Sequence, residues 1–265
     1  MDLGLKGSRM VVTGAGANIG RGITHVLARE GARILLVDID RDSVDRVAQE
    51  ARALGATEAT GLTQDLTVDG SGNQVIDRAV ALWGGVDSLV NNAGWSEPGW
   101  FAEQTDRALW QRTVDINMLA AVDCTQAALA QMRDAGRGSI VFLASDAAYG
   151  AVRQGIYGGT KAALISIART VARENGRFGI RANVVAPGLV IPPDDAPVGE
   201  HSVWAAGKDA MFTPDQVDSV VRTQALRRLT VADDVGHAVA WLCSEITARQ
   251  VTGQVIAVGG GSTMP

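Results

Sequence analysis

The sequence predicts an α/β fold in which a mostly parallel sheet is covered by helices on both faces. Short apolar runs typical of buried strands alternate with longer runs whose apolar residues recur at helical spacing. The chain has 265 residues, of which 46% are hydrophobic, enough for one large core. Neither an internal repeat nor a low-complexity linker interrupts the pattern. We therefore expect one domain over residues 1–265.

The first strand, Arg9 to Thr13, runs directly into a glycine-rich loop and then a helix. The loop spans residues 14–20 and has the sequence GAGANIG. Glycine lets a backbone turn sharply near an anion, and free N–H groups at the start of the next helix supply donors and partial positive charge. The pattern indicates a phosphate-binding loop, although glycine spacing alone also fits other nucleotide-binding or SAM-binding folds.

The second strand, Arg33 to Val37, ends at Asp38, eighteen residues after Gly20. A dinucleotide-binding unit places a carboxylate at this point, where it binds the ribose hydroxyls. Because a carboxylate repels a 2′-phosphate, Asp38 favours NAD over NADP. Arg41 follows closely and is the residue that would favour NADP instead.

The remaining elements continue the alternation and bring the number of strands to seven. The pattern predicts helices over about 42–54, 75–82, 105–135, around Tyr157 and over about 232–243, with strands ending near Gln64 and over 86–90, 139–144, 180–186 and 254–258. Residues 187–225 are irregular and carry Trp204, Met211 and Phe212 between polar residues. We interpret this segment as a substrate lid, with a plain surface excursion as the alternative.

Tyr157 and Lys161 lie four residues apart in a predicted helix, so one turn places them on the same face. A phenol ordinarily has a pKa of ~10, and a neighbouring ammonium favours the phenolate and lowers that pKa. The pair would therefore move a proton to or from a substrate oxygen. A surface pair on an amphipathic helix is the alternative.

Several separate motifs together resemble those of the short-chain dehydrogenase/reductase family, over nearly the whole chain. Residues 13–20 resemble its TGxxxGxG motif with Asn18 at the middle glycine, NNAG is intact at 91–94, and Tyr157 with Lys161 matches its YxxxK pair. Asparagine is the next best residue for a left-handed backbone, so we expect the loop to persist. The resemblance implies a Rossmann-type, doubly wound sheet and an NAD(P)-dependent oxidoreductase.

The resemblance also implies which residues form the site. The implied catalytic residues are Asn117, Ser145, Tyr157 and Lys161, and those implied to contact the cofactor are Gly14, Asn18, Ile19, Gly20, Asp38, Asp65, Leu66, Asn92, Gly94, Tyr157, Lys161, Pro187 and Val190. Ser145 would hydrogen-bond the substrate oxygen. Ser139, Asp146 and Thr160 are the alternative candidates for this role. Asn117 would hold a water between Lys161 and solvent, or would merely satisfy backbone groups; Asn91 and Asn92 have a similar structural alternative.

The predicted reaction is reversible hydride transfer between NAD and a secondary alcohol or its ketone. A large apolar wall is expected from five aromatic residues, Trp95, Trp100, Tyr149, Trp204 and Phe212, and would suit a bulky cyclic or aromatic group. The segments NNAGW, ASDAA and GGGSTM resemble family branches that oxidise β-hydroxyacyl-CoA esters. Arg153, Arg227 or Arg228 would then meet CoA phosphates, unless they are solvated surface arginines.

Composition argues against several other classes of protein. The net charge is −5 and no basic block stands out, which disfavours nucleic-acid binding. Cys124 and Cys243 are isolated, and the three histidines, at positions 25, 201 and 237, lack ligand spacing, so we expect neither a disulfide nor a metal site. No apolar run approaches the ~20 residues of a membrane span, and a cytoplasmic protein is expected.

Three alternatives to the NAD-dependent enzyme stay open. They are an NADPH-dependent carbonyl or 3-oxoacyl reductase, a non-catalytic nucleotide-binding partner subunit, and a SAM methyltransferase, which would leave Tyr157 and Lys161 unexplained. The resemblance further implies a homotetramer, built partly by helices around residues 105–135 and 156–175.

Overall fold

The structure is a computed structural model that describes residues 2–193, 197, 199, 202, 204, 205 and 212–264. Met211 and His201 lie outside these residues. Seven parallel strands form one sheet in the order β3-β2-β1-β4-β5-β6-β7. The strands are β1 Arg9–Thr13, β2 Arg33–Asp38, β3 Glu58–Thr63, β4 Ser88–Asn91, β5 Gly138–Leu143, β6 Ile180–Pro187 and β7 Val255–Val258. Strand order reverses between β1 and β4, where such sheets open a crevice at their carboxyl ends.

Helices cover both faces of the sheet, as predicted. They are α1 Asn18–Arg29, α2 Arg41–Leu54, α3 Ser71–Trp83, α4 Arg107–Val114, α5 Ala120–Ala135, α6 Gly155–Asn175, α7 Pro214–Thr223 and α8 Ala232–Cys243. The apolar residues of α1, α2 and α8 share one core cluster, and those of α3, α5 and α6 share the other. Successive side chains of β1 point to opposite faces of the sheet, so Met10 and Val12 pack in the first cluster and Val11 packs in the second.

The long helix expected over about 105–135 is interrupted. A π-helical turn, Asp115–Leu119, separates α4 from α5. Such turns insert an extra residue into the helical ladder and often occur at functional sites. The turn contains Asn117, so the faces of α4 and α5 are not related by simple helical periodicity.

The expectation that residues 187–225 are irregular is wrong for α7. Thr213 and Gln216 form a capping box, and Pro214 occupies the first helical turn. These residues favour a helix start whatever the packing behind it. No residue of α7 is buried, although Val217 and Val221 lie one helical turn apart on the same face.

Both cysteines are buried free thiols. Burial raises the pKa of Cys124 to about 12 and that of Cys243 to about 11, which keeps both protonated. Among the described residues, no helix combines the length and the apolar character needed to cross a membrane.

Candidate active site

A cavity of about 830 Å³ runs along the carboxyl ends of the strands. Every predicted site residue except Asn117 lines it, including Gly14, Asn18, Ile19, Gly20, Asp38, Asp65, Leu66, Asn92, Gly94, Ser145, Tyr157, Lys161, Pro187 and Val190. The described residues Gly199, Ser202, Trp204, Phe212 and Val220, from the segment interpreted as a lid, also line this cavity. The fold therefore gathers residues that are far apart in the sequence into one site.

The glycine loop adopts the left-handed backbone that its sequence predicts. Gly14 has φ +61° and Asn18 has φ +38°, so the expectation for Asn18 is confirmed. The Asn18 Nδ2 donates to the Val190 carbonyl at 3.1 Å and joins the loop to the segment after β6. At Gly20 an added Cβ would lie 1.9 Å from the Gly14 carbonyl oxygen, so only glycine is accommodated.

The amino terminus of α1 is suited to a phosphate group. Ala17 occupies the cap position and offers no side-chain acceptor, and the first turn of the helix carries no acidic residue. The helix dipole and the first N–H groups are therefore not neutralised by a side chain of the cap or first turn. A dinucleotide pyrophosphate matches this donor set, so the residues present fit such a cofactor.

Asp38 is held at the end of β2 beside the loop. Its Oδ2 accepts from the Gly16 N–H at 2.8 Å, and its Oδ1 accepts from the Asp40 N–H at 3.1 Å. Arg41, which would favour a 2′-phosphate, is 80% exposed, lies 3.9 Å from Asp45 and does not line the cavity. The carboxylate of Asp38 therefore faces the cavity at the end of β2, where the ribose is expected, and the Arg41 side chain does not.

The two asparagines of NNAG tie the end of β4 to its neighbours, Asn92 to the end of β1 and Asn91 to α5. The Asn92 Nδ2 donates to the carbonyl oxygens of Thr13 and Gly14 at 2.9 and 2.8 Å, and the Asn91 Nδ2 donates to Thr125 at 2.9 Å. Asn92 also lines the cavity, whereas Asn91 does not. The contacts of both side chains therefore match the structural role that was the alternative to cofactor binding.

Asn117 likewise fills a structural role in this structure. Its Oδ1 accepts from the Trp95 N–H at 3.0 Å, and its Nδ2 donates to the carbonyls of Trp95 and Thr113 at 2.7 and 2.9 Å. Both amide donors are thereby used. The residue is 1% exposed and outside the cavity wall, so it positions the Trp95 backbone. Its predicted water-holding role stays a prediction.

Lys161 is buried beside Tyr157. It is 3% exposed, its Nζ donates to the Leu143 carbonyl at 2.9 Å, and this Nζ lies 5.6 Å from the centroid of the Tyr157 ring. Burial lowers the pKa of the lysine to about 8. One helical turn therefore brings the two side chains together as the sequence predicts.

The prediction that the pKa of Tyr157 is lowered is wrong for this structure. Burial raises the pKa of the phenol to about 12, with the Ser145 hydrogen bond lowering it and the negative charge of Asp146 raising it. Desolvation of the phenolate outweighs any favourable charge. Near neutral pH Tyr157 is consequently a protonated acid, the form that donates to a ketone oxygen.

The Ser145 hydroxyl is hydrogen-bonded to the carboxylate of Asp146. The Ser145 Oγ accepts from the Ala147 N–H at 3.1 Å and donates to the Asp146 Oδ1 at 3.2 Å, and Ser262 donates to the other carboxylate oxygen at 3.4 Å. Burial raises the pKa of Asp146. Ser139 and Thr160 instead donate to the backbone carbonyls of Leu242 and Tyr157, and neither lines the cavity.

Replacing Asp146 by asparagine is expected to lower the pKa of Tyr157, because a negative charge that disfavours the phenolate is removed. The acidic limb of the alcohol-oxidation pH profile should move to lower pH. The measurement is kcat/KM against pH. Asp123→Asn, on exposed α5 surface, is the matched control and should leave the profile in place. An unmoved or upward-shifted limb in Asp146→Asn would contradict this coupling.

Three of the five aromatic residues expected at the substrate line the cavity: Trp95, Trp204 and Phe212. The Trp204 and Phe212 rings lie 6.2 Å apart between centroids. The expectation is wrong for Trp100 and Tyr149, which are 56% and 44% exposed on the surface. The apolar wall is consequently smaller than the sequence suggests.

The arginines expected to meet CoA phosphates do not line the cavity. Arg153 is exposed, Arg227 donates to the Arg222 carbonyl, and Arg228 lies 3.9 Å from Asp234. An arginine that the sequence did not single out, Arg112 of α4, lines the cavity instead. No local sequence pattern marked it, because its place in the cavity depends on the packing of α4 against Trp95, which follows β4.

These features define an α/β dinucleotide-binding protein with a tyrosine–lysine pair in its crevice. The family model described as enoyl-(acyl carrier protein) reductase matches residues 14–263. Cis-4-hydroxycyclohexanecarboxylate dehydrogenase of Sinomonas cyclohexanicum is 34% identical, with 96% of this chain and 95% of that protein covered. A (2S)-[(R)-hydroxy(phenyl)methyl]succinyl-CoA dehydrogenase subunit of Thauera aromatica is 31% identical, with 99% of each chain covered.

A similar solved structure is that of 7α-hydroxysteroid dehydrogenase complexed with NADH and 7-oxo glycochenodeoxycholic acid. It superposes with a TM-score of 0.87 at 30% identity, covering 98% of this chain and 96% of that one. The protein belongs to the short-chain dehydrogenase/reductase family, an assignment that confirms the resemblance of its motifs. It is therefore an alcohol dehydrogenase or ketoreductase that binds a nicotinamide cofactor.

Proposed function

We propose that this protein is an NAD-dependent dehydrogenase that interconverts a secondary alcohol and its ketone on a bulky cyclic substrate. One observation carries the proposal: a single cavity joins the glycine loop and Asp38 at one end to Ser145, Tyr157 and Lys161 at the other. The nicotinamide, when bound, supplies or accepts hydride. In this proposal residues 1–265 form one domain with a lid at about 187–225.

The chain's own residues manage the proton and the orientation of the reactants. Tyr157 donates its proton to the ketone oxygen in reduction and accepts it back in oxidation. Ser145 hydrogen-bonds the same oxygen and stabilises the charge that develops there. Lys161 fixes the nicotinamide ribose near Tyr157, so that the reactants meet in productive geometry. Asn117 orders the backbone of Trp95 at the substrate end.

The cofactor end favours NAD. Gly14, Asn18, Ile19 and Gly20 would hold the pyrophosphate, and Asp38 would bind the ribose hydroxyls. The remaining predicted contacts, to the adenine and nicotinamide, are Asp65, Leu66, Asn92, Gly94, Pro187 and Val190. NADPH-dependent carbonyl reduction is the second candidate, because Arg41 lies at the start of α2.

The relatives support a cyclic substrate. Their names specify a hydroxycyclohexanecarboxylate, a hydroxysteroid and an aryl-substituted succinyl-CoA. Trp95, Trp204 and Phe212 give this chain an apolar wall of the kind that a ring system contacts. We favour a free cyclic alcohol over a CoA ester, since Arg153, Arg227 and Arg228 stay outside the cavity. The homotetramer and the cytoplasmic location stay predictions.

Absorbance of reduced nicotinamide tests this function. The purified protein is incubated with NAD or NADP and a panel containing cis-4-hydroxycyclohexanecarboxylate, simple cyclic alcohols and hydroxyacyl thioesters. The expected result is NAD reduction with at least one cyclic alcohol. Turnover confined to NADP, or to acyclic thioesters, would contradict the proposal.

Replacing Asp38 by asparagine is expected to relax the preference for NAD. Removing the charge removes repulsion of a 2′-phosphate, so the ratio of kcat/KM for NAD over NADP should fall by about tenfold or more. The matched control is Arg41→Gln, which should leave the ratio within about twofold because Arg41 is exposed. A large loss of NADP turnover in Arg41→Gln would favour the second candidate.

A further inference from the structure

We propose that Arg112, stacked on Trp95, binds an anionic group of the substrate, a carboxylate remote from the reacting carbon. This inference rests on the proposed function, since it concerns the same cavity. It assigns the substrate class as cyclic hydroxy acids or oxo acids.

The first observation is the position of the guanidinium over the Trp95 ring. The Cζ of Arg112 lies 4.3 Å from the centroid of the Trp95 ring, and both residues line the cavity. Stacking on an indole orients the planar fork of an arginine and reduces the freedom it loses on binding. Asn117 in turn holds the backbone of Trp95 from both sides, through its N–H and its carbonyl. Arg112 itself is exposed, and its guanidinium packs over a half-buried ring whose backbone is held by the buried Asn117.

The second observation is the distribution of charge along the cavity. Among the described residues that line it, the cations are Arg112 and Lys161. Lys161 donates to the Leu143 carbonyl beside Tyr157. Arg112 makes no ion pair within 4.0 Å to a carboxylate of the described part of the chain. No carboxylate of the described residues therefore competes with an anionic ligand for the guanidinium.

The third observation is the chemistry around the cation. Ile116, Trp95 and Val152 are apolar residues of the cavity wall, and Ser96, which also lines it, donates to Gln154 at 2.7 Å. Among the described residues that line the cavity, the carboxylates are Asp38 and Asp40 at the end of β2, Asp65 after β3, and Asp146 beside Ser145. A substrate with an apolar ring and one carboxylate matches this wall, because the ring covers apolar surface while the carboxylate meets the guanidinium fork.

The test compares an acid with its neutral ester in matched variants. Substrates are cis-4-hydroxycyclohexanecarboxylate and its methyl ester, with wild type, Arg112→Gln, Arg112→Lys and Trp95→Phe. Arg112→Gln is expected to lower kcat/KM for the acid by about tenfold, mainly through KM, and to change that of the ester by less than about twofold. Arg112→Lys should retain part of the activity toward the acid, and Trp95→Phe most of it. An equal loss for acid and ester, or no loss for the acid, overturns the inference.

A binding measurement separates this inference from the proposed function. Tryptophan fluorescence of the NADH-loaded protein reports binding of each compound without turnover. Stronger binding of the acid than of the ester, abolished in Arg112→Gln, supports the anion site even if neither compound is oxidised. Equal binding of the two compounds by the wild type overturns it. Absence of turnover with every alcohol, in contrast, counts against the proposed function alone.

Discussion

Replacing Tyr157 by phenylalanine is expected to reduce turnover by about a thousandfold or more while leaving NADH affinity within about twofold. The change removes only the phenol oxygen, which is the group that we propose exchanges a proton with the substrate. The ring that lies 5.6 Å from the Lys161 Nζ is kept, so the cofactor end of the cavity should not move. Turnover with saturating substrate and NADH fluorescence titration give the two quantities.

The chain contains one other tyrosine, which supplies the control. Tyr149 is 44% exposed and outside the cavity wall, so Tyr149→Phe should retain turnover within about twofold. Retention of more than about a tenth of wild-type turnover by Tyr157→Phe would contradict the assignment of the acid. Loss of NADH binding in the same variant would instead indicate a structural role.

The second large effect concerns Lys161. Lys161→Met is expected to lower turnover by about a hundredfold or more, since it removes the residue that we propose fixes the nicotinamide ribose. The same substitution should stabilise the fold near neutral pH. Burial lowers the pKa of this lysine from its ordinary 10.5 to about 8, so the folded state binds the proton less tightly than the unfolded state.

The sign of the pH dependence follows from that difference. Below pH 8 the folded protein bears the full free-energy cost of burying the charged Lys161 ammonium. This cost disappears as pH rises from about 8 to about 10.5. At about 1.4 kcal/mol per pKa unit the penalty is roughly 3 kcal/mol, and the lost hydrogen bond to the Leu143 carbonyl offsets about 1 kcal/mol. A net gain of about 2 kcal/mol in the free energy of unfolding is expected near pH 7.

Thermal unfolding at several pH values measures this gain. The Tm of Lys161→Met should exceed that of wild type near neutral pH, and the difference should shrink at alkaline pH. Lys6→Met, which removes a charge from an exposed residue, is the control and should leave Tm nearly unchanged. A variant that is less stable than wild type at every pH would contradict the buried-cation account of Lys161.

The sheet and the cofactor loop could be predicted because their signals are local. Apolar runs mark the strands, and the φ of +38° at Asn18 is the backbone that its residue type and position predict. Tyr157 and Lys161 are brought together by a single helical turn, which needs no tertiary information. Helix α7 also has a local signal, the capping box of Thr213 and Gln216 with Pro214 in the first turn.

The rest depends on tertiary contacts. The pKa of Tyr157 follows from burial and from Asp146, neither of which its spacing from Lys161 reveals. The stacking of Arg112 on Trp95 brings α4 against the segment that follows β4, and no local sequence pattern predicts that contact. Trp100 and Tyr149 are close to site residues in the sequence, yet both side chains lie on the surface, so proximity in sequence did not predict their place.

Isotope transfer tests the central claim most directly. NADH deuterated at both C4 positions is incubated with the protein and a bulky cyclic ketone, and the alcohol is analysed by mass spectrometry. We predict deuterium on the carbinol carbon with wild type, and almost none in the same time with Tyr157→Phe. Unlabelled alcohol from the wild type, or labelled alcohol formed equally fast by Tyr157→Phe, would contradict the account.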